Sequence, residues 1–355
     1  MRKSVWFFIV VASAVIPALS FFGCGGGGGS SDGGGGGSTI LVTYAGKTTA
    51  ADITPAVVTS ALTNTNGYVP ICTASGVATS KAADVQDVLA AFAPIGIAAK
   101  LVASPILAAR SVPNFQPPDI AGSCGGFLRF KNWNHANGTT AGTLSFDNFC
   151  ATMRTTGDKS TMSGDIAFNA PGTPGDFGPV TSQVTASAPK ITMSTTSSSG
   201  SLKQNTSVGF EGFVFTPGTP TSGTAPSNTQ GRADTYAVTR IVIGNETTNK
   251  QTKVENATIT MLGTAGGGVQ ETITGRLFIF DSGYVDVTTD LANPILINSS
   301  GVHTAGRIIN TGNAGSQAVL TIVPGNPHSP SVTFTVNGTA MSGVKLDCYN
   351  PLTLR

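Results

Sequence analysis

Alternation of apolar and polar residues dominates the second half of the chain. In "SVTFTVNG", Val332, Phe334 and Val336 face one way, and Thr333, Thr335 and Asn337 the other. Side chains on a strand point to opposite faces in turn, so this period of two predicts a half-buried strand. "VQETITGRLFIF" repeats the pattern, with Val269, Ile273, Leu277 and Ile279 on one side and Gln270, Thr272, Thr274 and Arg276 on the other. "ATITML" and "TRIVIG" predict further strands, and "TILVTYAG" one near the start. Proline- and glycine-rich joints such as "APGTPGDFGP" and "TPGTPTSGTAP" separate the strands.

One stretch follows a different period. "KAADVQDVLAAFAPIGIAAKLVASPILAAR", Lys81–Arg110, places Val85, Val88, Leu89, Phe92 and Ile95 three and four residues apart, which predicts a helix. Ser80 suits its N-cap, and Asp84 and Asp87 suit the positive end of its dipole. Pro94 and Pro105 interrupt it, and Lys100 argues against a membrane span. A short helical stretch is also expected after Ile53. The expected fold is mainly β: a large antiparallel sheet, or a partly closed barrel or clamshell-like meander, with one long apolar, proline-interrupted helical segment. A strand meander after a single helix favours antiparallel pairing over βαβ crossovers.

The stretch from Cys124 to Cys150 yields a sharper expectation. It is strand-like at both ends and carries Asn137-Gly138 at its middle. An Asn-Gly hairpin there brings the two cysteines nearly opposite each other, within disulfide reach. Closing that loop is worth roughly 3 kcal/mol on the chain-entropy model. There are five cysteines. With Cys24 set aside for the amino-terminal anchor, Cys72 and Cys348 remain to pair by exclusion. Two disulfides in an exported chain permit three connectivities, of which this is the favoured one.

The amino terminus provides an address. Met1-Arg2-Lys3 is a short basic patch, and "VWFFIVVASAVIPALSFFG" is an apolar run ending at Gly23, immediately before Cys24. This is the layout of a signal peptide over residues 1–23. The Gly23-Cys24 junction resembles the lipobox of bacterial lipoproteins, in which the cysteine thiol carries diacylglycerol. Phe21 stands where that box usually has leucine, and the alternative is an ordinary signal peptide or a membrane span. A Gly/Ser-rich tract follows over residues 24–37, a composition that makes a flexible tether. A single mainly-β domain is then expected over residues 38–355. Gly25 after the cysteine resembles the sorting pattern of lipoproteins sent to the outer membrane.

Further residues support a second resemblance. "ILVTYAGKTTAADIT", the Cys-Gly-Gly at Cys124, "FDNFC" ending at Cys150, and "GRLFIFDSGYVDVTTDLANPILI" occur in that order. Together they resemble a family of uncharacterised exported lipoproteins of Geobacter-like (delta-proteobacterial) bacteria. The resemblance implies an anchored, exported β-protein and no particular activity. The tail "MSGVKLDCYNPLTLR" lacks the Asp/Gly-rich ending common in such proteins.

Composition narrows the chemistry. Only 11% of residues are charged and the net charge is +2, so there is no basic field for nucleic acid. "GSSDG" fits a nucleophile-elbow pattern but lies in the glycine tract, without the strand and helix an elbow needs. "AGKTT" around Lys47 ends like a phosphate loop, but Leu41 stands where the first glycine belongs. His135, His303 and His328 share no ligand spacing, and no C-x-x-C-H haem site occurs. Asp281, Asp286 and Asp290 lie near a strand end, where they could hold a cation or serve as ordinary turn residues. Trp133 beside Phe130 is the best sugar-stacking candidate, with burial in the hairpin as the alternative. No cofactor and no resident metal are expected. The expected protein is a non-enzymatic lipoprotein of the outer membrane or cell surface, a structural or binding module anchored to the membrane through Cys24. The alternatives are a carrier of a lipid or other apolar ligand beside the 81–110 helix, and a hydrolase of envelope or extracellular polymers.

Overall fold

The computed structural model describes residues 40–55, 72–75, 119–136, 139–152, 157–171, 183–216, 218, 231, 233–247, 249–264, 268–298, 303–326, 329–341 and 345–348. The leader, Cys24, the tether, the helix expected over Lys81–Arg110 and, beyond Pro55, the short helical stretch lie outside them.

The chain is mainly β, a large antiparallel sheet. Its early strands are β1 (Cys72–Ser75), β2 (Ile120–Ala121), β3 (Gly125–Ala136), β4 (Thr139–Thr152), β5 (Lys159–Pro171), β6 (Val184–Thr196) and β7 (Leu202–Thr216). β8 (Ala233–Asn245), β9 (Lys250–Gly263), β10 (Val269–Ile279), β11 (Gly283–Thr289), β12 (Ile295–Ile297) and β13 (His303–Thr311) follow. The last are β14 (Gln317–Asn326), β15 (Ser329–Val336), β16 (Thr339–Ala340) and β17 (Lys345–Cys348). The alternating stretches in β8, β9, β10 and β15 are thus strands, as their period predicts.

The 38–355 stretch divides into two compact units, and β8 and β9 each run along the chain from one into the other. The first unit holds residues 40–45, β2–β7, β8 from Tyr236 and the start of β9. From β3 to β7 each strand pairs antiparallel with the next, as a meander. Its core is made of cross-strand rows. Phe130, Leu144 and Ile166 stand side by side on β3, β4 and β5, each no more than 2% exposed. Burying one such side chain is worth about 1.5–3 kcal/mol.

Three of the register shifts coincide with asparagines in the left-handed region: Asn132 (φ 52°), Asn148 (φ 46°) and Asn256 (φ 50°). Asparagine tolerates that region better than other non-glycine residues, so each supplies the extra residue of a β-bulge.

"TILVTYAG" does not form the predicted strand. Ile40 and Val42 are buried and Leu41 is exposed, so the alternation is real. The segment instead lies on a sheet face as a strap. Leu41 N–H donates to Pro189 O of β6 (2.9 Å), and Ala45 N–H to Gln251 Oε1 of β9 (2.8 Å). Ile40 and Val42 cluster with Val242 of β8, with Tyr44 packed alongside. A segment that crosses a face meets side chains rather than a row of free peptide groups, so no ladder forms.

The second unit holds residues 46–55, β1, most of β9 and β10–β17. β10 pairs with β9 on one side. On its other side its partner changes from β11, opposite Thr274–Ile279, to β12, opposite Val269–Glu271. β13, β14, β15 and β17 continue the antiparallel pairing. Ile273, Leu277, Val285, Val287, Ile295 and Ile308 form its buried face, each at most 5% exposed.

Candidate functional site

The expected hairpin is present. Ala136 pairs with Thr139, leaving two residues, Asn137 and Gly138, between the strands. Cys124 and Cys150 form a disulfide with their Cα atoms 5.1 Å apart. Cys124 N–H also donates to Cys150 O, at 3.2 Å. The backbone register of β1 with β17 sets Cys72 opposite Cys348.

The sequence-level acid candidates separate. Asp286 takes a two-pronged bond from Arg276, Nε to Oδ1 at 2.7 Å and Nη2 to Oδ2 at 3.1 Å. Asp290 heads a turn, where its carboxylate accepts from Asn293 Nδ2, Ala292 N–H and Arg307 Nη1 at 3.0–3.1 Å. These donors, Asn293 first, hold the Asp290 carboxyl below the usual range. Asp281 is exposed in the turn after β10. Among the described residues, no group of three or more His, Cys, Asp or Glu side chains could hold a metal ion. Lys47 lies in the irregular 46–55 segment, its N–H donating to Phe280 O (2.9 Å), rather than in a phosphate loop. Phe130 is buried. The side chains of Trp133, His135 and His303, and all of His328, lie outside the described residues.

Two arrangements on opposite faces of β10 were not singled out from sequence. On the face of Arg276 and Phe278, two cross-strand rows sit one above the other. Lys253, Phe278 and Tyr284 form one, and Glu255, Arg276 and Asp286 the other. Lys253 Nζ lies 3.7 Å from the Phe278 ring centroid and 2.7 Å from Glu255 Oε1. The Arg276 guanidinium carbon lies 4.0 Å from the Tyr284 centroid. Cations over aromatic faces are attracted by the ring quadrupole, so both rows hold together laterally. Arg276 and Asp286 remain 40% and 54% exposed, a charged pair presented on a rigid platform.

On the opposite face stands Glu271. It shares that face with Val269, Ile273 and Leu277, because the bulge at Asn256 lies in β9 and leaves the phase of β10 intact. Glu271 is 8% exposed, set between Met261 of β9 and Ile295 of β12. Burial pushes its carboxyl up to about 7. The signal was available in sequence: the same alternation that buries Ile273 and Leu277 buries Glu271. A third charged group, Glu246, is held below the usual range by hydrogen bonding from Ser207 and Lys190.

No protein-family model, curated protein or solved structure compared with the chain matches it.

Proposed function

We propose that this chain is a lipid-anchored protein of the bacterial envelope, held at the outer membrane or cell surface by a diacylglycerol thioether on Cys24. In this reading it works as a non-enzymatic structural or binding module. The observation that carries it is Cys24 itself, set between an apolar leader and a glycine tract. The Cys124–Cys150 disulfide supports the same address, because such bonds persist in oxidising compartments. The glycine tract would hold the folded part away from the bilayer. Asp286 and Asp290, each engaged by an arginine, speak for scaffolding rather than for the paired free acids of a glycan hydrolase.

The apolar, Ala-rich Lys81–Arg110 stretch favours a second reading, a carrier of a lipid or other apolar ligand. There the sheet is a partly closed barrel or clamshell and the helical segment lines its cavity.

The test is Cys24→Ala in the full chain, with membrane fractionation and acyl labelling. The variant is expected to leave the membrane fraction and lose the label. Unchanged membrane retention, with no label on the wild-type protein, would overturn the anchor.

A further inference from the structure

β12 is a short strand that carries core. It has three residues, Ile295–Ile297, and its pairing with β13 is broken by a register shift between Leu296 and Ile297. On β10 it meets only Val269, Gln270 and Glu271. Yet Ile295 is fully buried (0% exposed). The turn before it presents Leu291 at 80% exposure, and Leu296 is 38% exposed.

Glu271 sits where β10 changes partners. One residue pair away, Ile273 N–H donates to the buried Thr289 Oγ1 (2.8 Å), a side-chain bond at the end of β11. Opposite Glu271 stands Ile295 on one side and Met261 on the other. Among the described residues, nothing donates to its carboxyl and no charge pairs with it. Lys253 and Glu255 of β9, Arg276 of β10 and Asp286 of β11 occupy the other face. Asp290 and Arg307 are spent on each other. His303 is the remaining titratable residue paired to β12, opposite Ile297. A neutral carboxylic acid is tolerable between Met261 and Ile295, whereas a carboxylate there, at 8% exposure, keeps little of its water and gains no opposite charge.

We propose that Glu271 is a proton-operated latch on β12. With its carboxyl protonated, Ile295–Ile297 stays docked on β10. When the carboxyl ionises, Ile295–Ile297 lifts from β10, hydrating the charge and baring Ile295 beside Leu296, while Asp290 and Asn293 stay bonded to the Arg307 backbone. The direction follows from linkage. The docked state binds the proton more tightly than the released state, where the group has its ordinary value of 4.5. Docking is therefore strongest at low pH and weakens as pH rises from about 4.5 to about 7, then levels off.

Hydrogen exchange on the full chain between pH 5 and pH 8 tests this. Protection factors, corrected for intrinsic exchange, should fall roughly fiftyfold for those amides of Ile295–Ile297 and Val269–Glu271 that bond across the β10–β12 pair, and hold for those of β10 bonded to β9. Those of Ile308 and Leu320, in the same unit, should hold. Glu271→Gln and Glu271→Met should each abolish the fall, and His303→Gln should leave it in place. Two variants are named because either could perturb folding alone, and carboxyl carbon NMR of the wild type supplies a measurement free of substitution. Four outcomes would each overturn the latch. They are a pH-invariant wild type, a fall that survives both Glu271 variants or vanishes in His303→Gln, equal loss at Ile308 and Leu320, and titration of Glu271 near 4.5.

Discussion

Gly209 of β7 lies directly beneath Ile40. A Cβ on Gly209 would stand 2.6 Å from Ile40 Cγ2 and 2.7 Å from Pro189 O. The strap therefore rests against the sheet because one side chain is missing there. Gly244 of β8 does the same on a smaller scale, its missing Cβ falling 2.9 Å from Ser207 Oγ and 3.6 Å from Val42.

Gly209→Val is expected to displace residues 40–45 and lower stability by about 1–3 kcal/mol, the usual cost of overpacking. Urea denaturation measures the loss, and limited proteolysis near Leu41 reports the displaced strap. Unchanged stability with an intact strap would show that the contact yields freely.

Removing the hairpin disulfide should cost more. Cys124→Ala with Cys150→Ala releases a loop of 26 residues' separation. The chain-entropy model assigns that closure about 3.5 kcal/mol. The expected result is a lower urea midpoint with a slope steeper than wild type, because the released unfolded chain exposes more surface. A loss under about 1 kcal/mol would mean that the bulged hairpin holds itself closed.

A second disulfide is expected between Cys72 and Cys348, register partners on β1 and β17. Directly opposed cysteines on antiparallel strands come within bonding distance. Peptide mapping without reductant should recover that pair beside Cys124–Cys150. Free thiols at both positions in protein taken from an oxidising compartment would refute it.

Legibility from sequence depended on how local the determining physics is. Alternation within one strand is local, so β10 and β15 could be placed, and an Asn-Gly midpoint sufficed for the Cys124 hairpin. The strap alternates as well as any strand, but whether a period-two segment pairs at an edge or crosses a face depends on what lies beneath it. Here that is Gly209 and Gly244, remote in sequence. The rows through Phe278 and Arg276 needed cross-strand register, which Asn256 resets by one residue. The inward face of Glu271 was legible from alternation with Ile273 and Leu277, but its lack of a partner depends on Met261 and Ile295, which only strand pairing sets beside it.

The bulges at Asn132 and Asn148 act on the β3–β4 hairpin as a frameshift and its suppressor. Leading away from the turn, Ala136 pairs with Thr139 and Asn134 with Ala141. The extra residue at Asn132 then moves β3 one step, giving Lys131 with Thr143 and Phe127 with Asp147. The extra residue at Asn148 moves β4 by the same step, so Gly125 meets Cys150. Between the two, Leu128 and Phe130 point inward and Arg129 bonds Asp119 and Asp147 outside. Deleting Asn132 alone would straighten the bulge and leave those pairs in place, with Lys131 still opposite Thr143 and Phe130 still opposite Leu144, at the loss of the local bend and twist. The extra residue in each strand is thus the place where that strand can lose one residue without changing the pairs on either side.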